Sequence, residues 1–210
     1  MNERIKKMFL DKELVTKVQN KLPKLFYRAE LESSRAGKIG MEVGTLRERI
    51  LIALLIYYFG EENVETNFPI TAPEIDVKLF NNPISIKTLT SNGYSGVKLI
   101  WTVDAESALA FRKNYLPKCD MMFVRINWDR EGGLFYIPLE TQMDLFNQLG
   151  RNEYIKLPKA GTNPRGVELS ANVLKALLNH TSTSVIRIKW KKEMIEYNPV
   201  ERWVELWRED

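Results

Sequence analysis

The chain has 210 residues, 44% of them hydrophobic and 28% charged, with a net charge of +4 and a pI near 9.0. This is enough for one substantial core and is the makeup of a soluble globular protein; no apolar run reaches the ~18–20 residues of a membrane span. The single Cys119 and single His180 exclude an internal disulfide and a cysteine-rich zinc site and argue against histidine-based metal sites and triads, leaving catalysis to carboxylates, amines and hydroxyls.

In chain order, the N-terminus lacks the apolar stretch of a secretory signal, so a cytoplasmic protein is expected. Residues 11–32 predict helix in two pieces, broken near Pro23. Residues 33–44 form a basic, glycine-containing connection that delivers Arg35, Lys38 and Arg47 to the start of the next helix. That helix runs from Gly44 through Phe59 and stops at Gly60. It is apolar on nearly all sides, which predicts burial against a sheet.

Residues 73–88 predict a hairpin. Polar and apolar residues alternate on both sides of Asn81-Asn82, and Asn tolerates the positive φ of a two-residue loop. With that loop Phe80 faces Pro83, Lys78 faces Ser85, and Asp76 faces Lys87. Ile75, Val77, Leu79, Ile84 and Ile86 form the apolar back. A third strand is expected over 97–103 and a helix capped by Asp104 through Tyr115. A buried strand over 121–126 then turns at 129–133 into a strand over 134–137, followed by a helix near 141–149.

From Arg151 to Lys191 there are eight Lys or Arg and two Glu. Within this basic span, Lys156, Lys159, Thr162, Asn163 and Arg165 sit in a loop of turn formers ending at Gly166. Arg and Asn are the side chains that read base edges bidentately, whereas Lys and Thr take phosphates; a solvated surface loop accounts for the same composition. Ser170 predicts a helix cap. The strand over 185–191 has a basic face, which suits either a lysine-protected edge or a wall against DNA. A last helix over 198–208 carries Trp203 and Trp207 one turn apart, a spacing expected of core packing.

The chemistry is concentrated between Gly44 and Thr88. Asp76 and Lys87 share the polar side of a rigid hairpin, an arrangement that holds a divalent cation beside an amine. An ordinary cross-strand ion pair gives the same pattern. Glu48 either points from the start of the helix toward that polar side or, as the last residue of Thr45-x-x-Glu48, closes a capping box. Asp76-Val77-Lys78 offers a competing frame, with Glu62 or Glu65 as the upstream acid and Lys78 as the lysine; the hairpin pairing favours Lys87.

Glu48, Asp76 and Lys87 together resemble the active site of the PD-(D/E)xK nuclease superfamily, and the chain resembles its type II restriction endonucleases. Where that pattern has a second acid, two positions before its lysine, this chain has Ser85. The resemblance implies an α/β fold with a central mixed β-sheet flanked by helices and Mg²⁺ as cofactor. Glu48 and Asp76 would hold the ion, with the main-chain carbonyl of Ile86. It further implies double-stranded DNA as substrate, 5′-phosphate and 3′-hydroxyl products, and a homodimer. One nuclease domain would span 1–210: a helical segment and basic loop over 1–43, the catalytic core over 44–126, and additional elements with the recognition loop over 127–210. A structure-selective repair nuclease and a non-catalytic DNA-binding protein are the alternatives.

Overall fold

The computed structural model describes residues 2–35, 38–68, 74–158 and 166–209. The chain opens with α1 (Asn2–Leu10) and α2 (Lys12–Glu32), then a small hairpin of β1 (Ser34–Arg35) and β2 (Lys38–Ile39). Next come α3 (Val43–Phe59), a 3-10 turn at Glu61–Asn63, β3 (Val64–Glu65), β4 (Val77–Leu79) and β5 (Asn82–Thr90). β6 (Lys98–Ile100), α4 (Ala105–Asn114), β7 (Asp120–Ile126) and β8 (Glu131–Ile137) follow, then α5 (Leu139–Leu149), α6 (Arg151–Tyr154) and β9 (Ile155–Lys156). β10 (Val167–Leu169), α7 (Ala171–Leu178), β11 (Ser184–Lys189) and α8 (Glu201–Leu206) complete the order.

The central sheet has six strands in the order β11-β8-β7-β5-β4-β3. β5 and β7 are parallel and the other neighbours antiparallel, so the sheet is mixed. Alternation sends Val77, Leu79, Ile84 and Ile86 to one side, where they join Leu51 and Leu55 of α3 and the apolar stripe of α2. Leu89, Phe123 and Phe135 point to the other side, against α5, α7 and a separate small sheet, β6-β10-β9. The strand expected over 97–103 therefore does not enter the main sheet. It is short, and Trp101 and Val103 beyond it are exposed.

Four other expectations are corrected. α2 is continuous through Pro23, and the break falls at Asp11, whose carboxylate caps the amides of Glu13 and Leu14. A mid-helix proline costs about 3 kcal/mol, which the burial of Leu14, Val18, Leu22 and Phe26 offsets. α3 is not buried all round: only Arg47, Leu51 and Leu55, one stripe at helical spacing, are fully inside. Gly132 and Gly133 lie within β8 rather than in the turn; a Cβ at Gly132 would stand 2.6 Å from the Trp190 indole nitrogen, so the missing side chain makes room for that ring. Finally, α8 buries no residue, and Trp203 and Trp207 are 54% and 91% exposed rather than in the core.

Candidate active site

The hairpin loop forms one residue earlier than expected. This moves every cross-strand partner by two, so that Lys78 faces Pro83 instead of Ser85 and Asp76 is no longer directly across from Lys87. Val77 pairs with Ile84, Lys78 with Pro83 and Leu79 with Asn82, so the two loop residues are Phe80 and Asn81, at φ 49° and 64°. Positive φ at both positions is the geometry of the favoured two-residue hairpin turn. Phe80 is a poor residue for it, but its ring packs edge-on against Phe59 and lies under the Arg4 guanidinium. These contacts outweigh the local preference for Asn. The shift is even, so no side chain changes face, and Asp76, Ser85 and Lys87 remain together.

Asp76 sits just before β4, where β5 continues beyond its partner. Its main-chain N–H donates to Ile84 O, and its Oδ2 accepts from the Ile86 amide at 2.5 Å and the Ser85 hydroxyl at 3.3 Å. Lys87 Nζ is 3.6 Å from the same oxygen, and each of the two side chains is about one-fifth exposed. Ser85, in the place of the expected second acid, is buried and helps to fix the first one. Because a strand residue presents its N–H and C=O to the same edge, the Ile86 carbonyl also points to the edge that Asp76 occupies.

Glu48 approaches from α3. The helix starts at Val43, with Glu42 at the N-cap position and no side-chain cap, so the Thr45–Glu48 capping box does not form. Glu48 is half-buried in the second turn. Burial pushes its carboxyl above the usual range, the negative charge of Asp76 adds to this, and Lys87 and Arg49 oppose it. Glu48 thus feels the charges of both Asp76 and Lys87. Lys78 pairs with Glu65, an acid of the competing frame, at 3.3 Å on the β3 side of the hairpin, whereas Lys87 is the lysine that pairs with Asp76.

The sequence reading missed Glu74. It shares the polar face two residues before Asp76, which was the available signal. It stands at φ 70° with Oε1 buried and without a hydrogen-bond partner. Burial raises its carboxyl to about 7, against the pull of Lys87 and Lys118 and with a further push from Asp76. It lines a narrow pocket with Ser85, Lys87, Tyr115, Lys118 and Cys119.

Among the described residues no three His, Cys, Asp or Glu side chains gather as a ready-made metal cage. Two carboxylates, Glu48 and Asp76, and one carbonyl suit an ion that keeps several waters and takes further ligands from phosphate, which is the habit of Mg²⁺. Asp76 uses only Oδ2 in its protein contacts, and Oδ1 is left to a ligand. The donor set therefore fits such an ion.

The residues expected to meet DNA are divided. Arg35 and Lys38 are exposed and paired across the β1–β2 hairpin, next to the start of α3. Lys156 is exposed on β9 and pairs with Glu168 at 3.3 Å, which also holds Lys98 at 2.6 Å. Lys159, Thr162, Asn163 and Arg165 lie outside the described residues; the strands that flank them, β9 and β10, are paired antiparallel. Arg47 is a correction. It is 5% exposed, with its guanidinium 2.6 Å from Glu30 and burial lowering its pKa against the pull of that partner. Glu30 also accepts from Trp128, so Arg47 ties α2 and α3 to the β7–β8 turn and presents no charge to solvent. The basic face of β11 is a lysine-protected edge: β11 is the outermost strand, three strands from β5 or about 14 Å. His180 is at the end of α7, where its ring accepts from the Ser182 amide.

Asp76 and Lys87 stand at the edge of a mixed sheet with Glu48 on the helix packed against it, and the fold that carries them is that of a restriction endonuclease. A solved structure described as a restriction endonuclease in complex with substrate DNA superposes with a TM-score of 0.92 at 56% sequence identity, covering 98% of this chain and 99% of its own. The model of the restriction endonuclease ThaI family matches residues 8–209. The chain belongs to that family and is a site-specific nuclease. No curated protein matches it.

Proposed function

We propose that this protein is a Mg²⁺-dependent type II restriction endonuclease that cuts double-stranded DNA at a defined sequence, leaving 5′-phosphate and 3′-hydroxyl ends. The observation that carries the reading is Lys87 Nζ 3.6 Å from Asp76; the Glu48 carboxyl feels the charge of both. The substrate DNA in the similar structure supports DNA as the substrate. No helix among the described residues is long and apolar enough to cross a membrane; the proposed place of work is the cytoplasm.

Glu48, Asp76 and the Ile86 carbonyl would hold the ion. When bound, Mg²⁺ supplies charge to polarise the scissile phosphate and acidifies water. The chain's own groups do the rest. Ser85 and the Ile86 amide hold Asp76 in one orientation, so its free oxygen needs no reorganisation at the moment of reaction. Lys87 donates to the attacking water or to the phosphate oxygen on which charge builds. Its ammonium also favours the ionised form of Glu48.

α3 packs on one face of the central sheet and the small sheet on the other; the β1–β2 hairpin precedes α3 in the chain. Arg35 and Lys38 would grip phosphates from that hairpin. Lys156 and the loop with Lys159, Thr162, Asn163 and Arg165 would approach from the small sheet, with Arg165 and Asn163 as base readers. A homodimer would bring one site to each strand of a palindromic duplex.

Incubation with plasmid DNA and Mg²⁺ tests the reading. Discrete fragments with ligatable 5′-phosphates are expected. Cuts confined to branched or damaged DNA would make the protein a repair nuclease, and intact DNA would make it a binding protein.

A further inference from the structure

The chain ends in a helix that its own body does not cover. α8 buries no residue, and among the described residues no hydrogen bond or ion pair joins it to another element. Yet it is apolar: Val200 is 55% exposed, Trp203 54%, Leu206 48% and Trp207 91%. A six-residue helix with two uncovered tryptophans is not stable in isolation, and a patch of this kind marks an interaction surface. The charge of the segment is acidic: Glu201, Glu205, Glu209 and Asp210 outnumber Arg202 and Arg208.

A second uncovered surface has complementary properties. A groove between α2 and α3 is lined by Val18, Leu22, Leu25, Ile50, Leu54 and Tyr57, and the charged residues that border it, Lys17 and Lys21, are both basic. Leu25 and Tyr57 are 42% and 61% exposed, and the Lys17 ammonium lies over the Tyr57 ring. The chain reaches α8 along the outer side of the same helix α2: Glu193 pairs with Lys24 at 2.8 Å, and Arg28 faces the Tyr197 ring. The root of the arm and the groove thus share α2, so a twofold axis beside α2 would bring each arm to the groove of the other copy.

We propose that the C-terminal segment from Val200 is a dimerisation arm: α8 of one copy lies in the α2–α3 groove of a second copy, and reciprocally, with Glu201 and Glu205 beside Lys17 and Lys21. This rests on the homodimer reading above and names its interface. The exposed parts of two tryptophans amount to roughly 300–400 Å² per arm. Two arms and the matching groove surface then bury on the order of 1,400 Å², within the about 1,200–2,000 Å² of stable interfaces. An exchanged arm is isologous, so the contact closes at two copies.

Sedimentation equilibrium of the DNA-free protein tests this, with circular dichroism as the check on folding. The full chain is expected to be a dimer. Deletion of residues 200–210 removes no core side chain and is expected to leave the fold intact while weakening the dimer by at least about 30-fold, the effect of losing an interface anchor. Lys17→Glu with Lys21→Glu, or Glu201→Lys with Glu205→Lys, is expected to weaken it as well, and all four changes in one chain to restore it. A folded truncated protein that dimerises like the full chain overturns the arm while leaving the dimer reading standing, as does a combined reversal no tighter than the single reversals. A full chain that sediments as a monomer overturns both.

Discussion

Lys87→Ala, set beside Lys78→Ala, separates the two lysines of the hairpin. Lys87 is 3.6 Å from Asp76 Oδ2; at an effective dielectric of about 20 the gross attraction is roughly 4–5 kcal/mol. Both partners touch solvent, and screening and desolvation reduce the net contribution to stability to about 1–2 kcal/mol. The catalytic loss is larger, ~10²–10⁴-fold for a lost proton-transfer or charge-stabilising group, which is about 3–5 kcal/mol of barrier. The same ammonium holds down the carboxyls of Glu48 and Glu74. Without it both ionise at higher pH, so the acid limb of residual activity is expected to move to higher pH. Lys78 pairs with Glu65 near the surface, and its loss is expected to cost under ~1 kcal/mol of stability and little activity. Single-turnover plasmid cleavage across pH, with enzyme in excess, reads all of this. A Lys78→Ala enzyme more impaired than Lys87→Ala would refute the reasoning and move the site to the Asp76-Val77-Lys78 frame.

Glu48→Gln is expected to abolish cleavage while leaving the melting temperature within a few degrees, since Glu48 caps no helix; an active Glu48→Gln enzyme would take the helix out of the metal site. Glu74 reverses the usual pH dependence of a carboxylate. Its folded-state pKa of about 7 lies above its unfolded value, so the folded protein holds the extra proton and loses stability as pH rises from about 4.5 to about 7. Glu74→Gln is expected to flatten that loss and to stabilise the metal-free protein by about 1–3 kcal/mol at pH 8, as read by urea titration at several pH values. Arg47→Met leaves the buried Glu30 carboxylate with only the Lys192 ammonium, 3.1 Å away, and the Trp128 N–H and is expected to cost about 1–3 kcal/mol, with unchanged DNA affinity per folded molecule. A loss of affinity without a loss of stability would return Arg47 to the DNA interface.

The polar face of the hairpin was readable from the sequence because alternation survives an even register shift. Asp76 and Lys87 meet although the loop moved from Asn81-Asn82 to Phe80-Asn81. The loop itself was not readable, since it is decided by Phe59 and Arg4, which are far away in the chain. The Asp104 and Ser170 caps were readable because each side chain meets amides of its own first turn. Arg47 was misread for the opposite reason: a basic residue that follows a basic connection suggests a surface, and only the fold brings in Glu30. Pro23 misled by its propensity, which the packing of α2 overrides. Trp203 and Trp207 misled by their spacing, which describes an apolar stripe without saying whose groove receives it. Glu74 was overlooked because its importance comes from burial, and burial is set by Tyr115, Lys118 and Cys119, more than forty positions later in the chain.

Cleavage by Asp76→Asn tests the central claim most directly. The amide oxygen of Asn still accepts from the Ile86 N–H, so the hairpin is expected to stay folded and the duplex to be bound as tightly as by the unaltered enzyme, or more tightly with one negative charge fewer facing the phosphates. With Mg²⁺ present, the account predicts bound and uncut DNA, at a rate lower by several orders of magnitude. Cutting at the normal rate would contradict it, for the cation would then have to be held elsewhere.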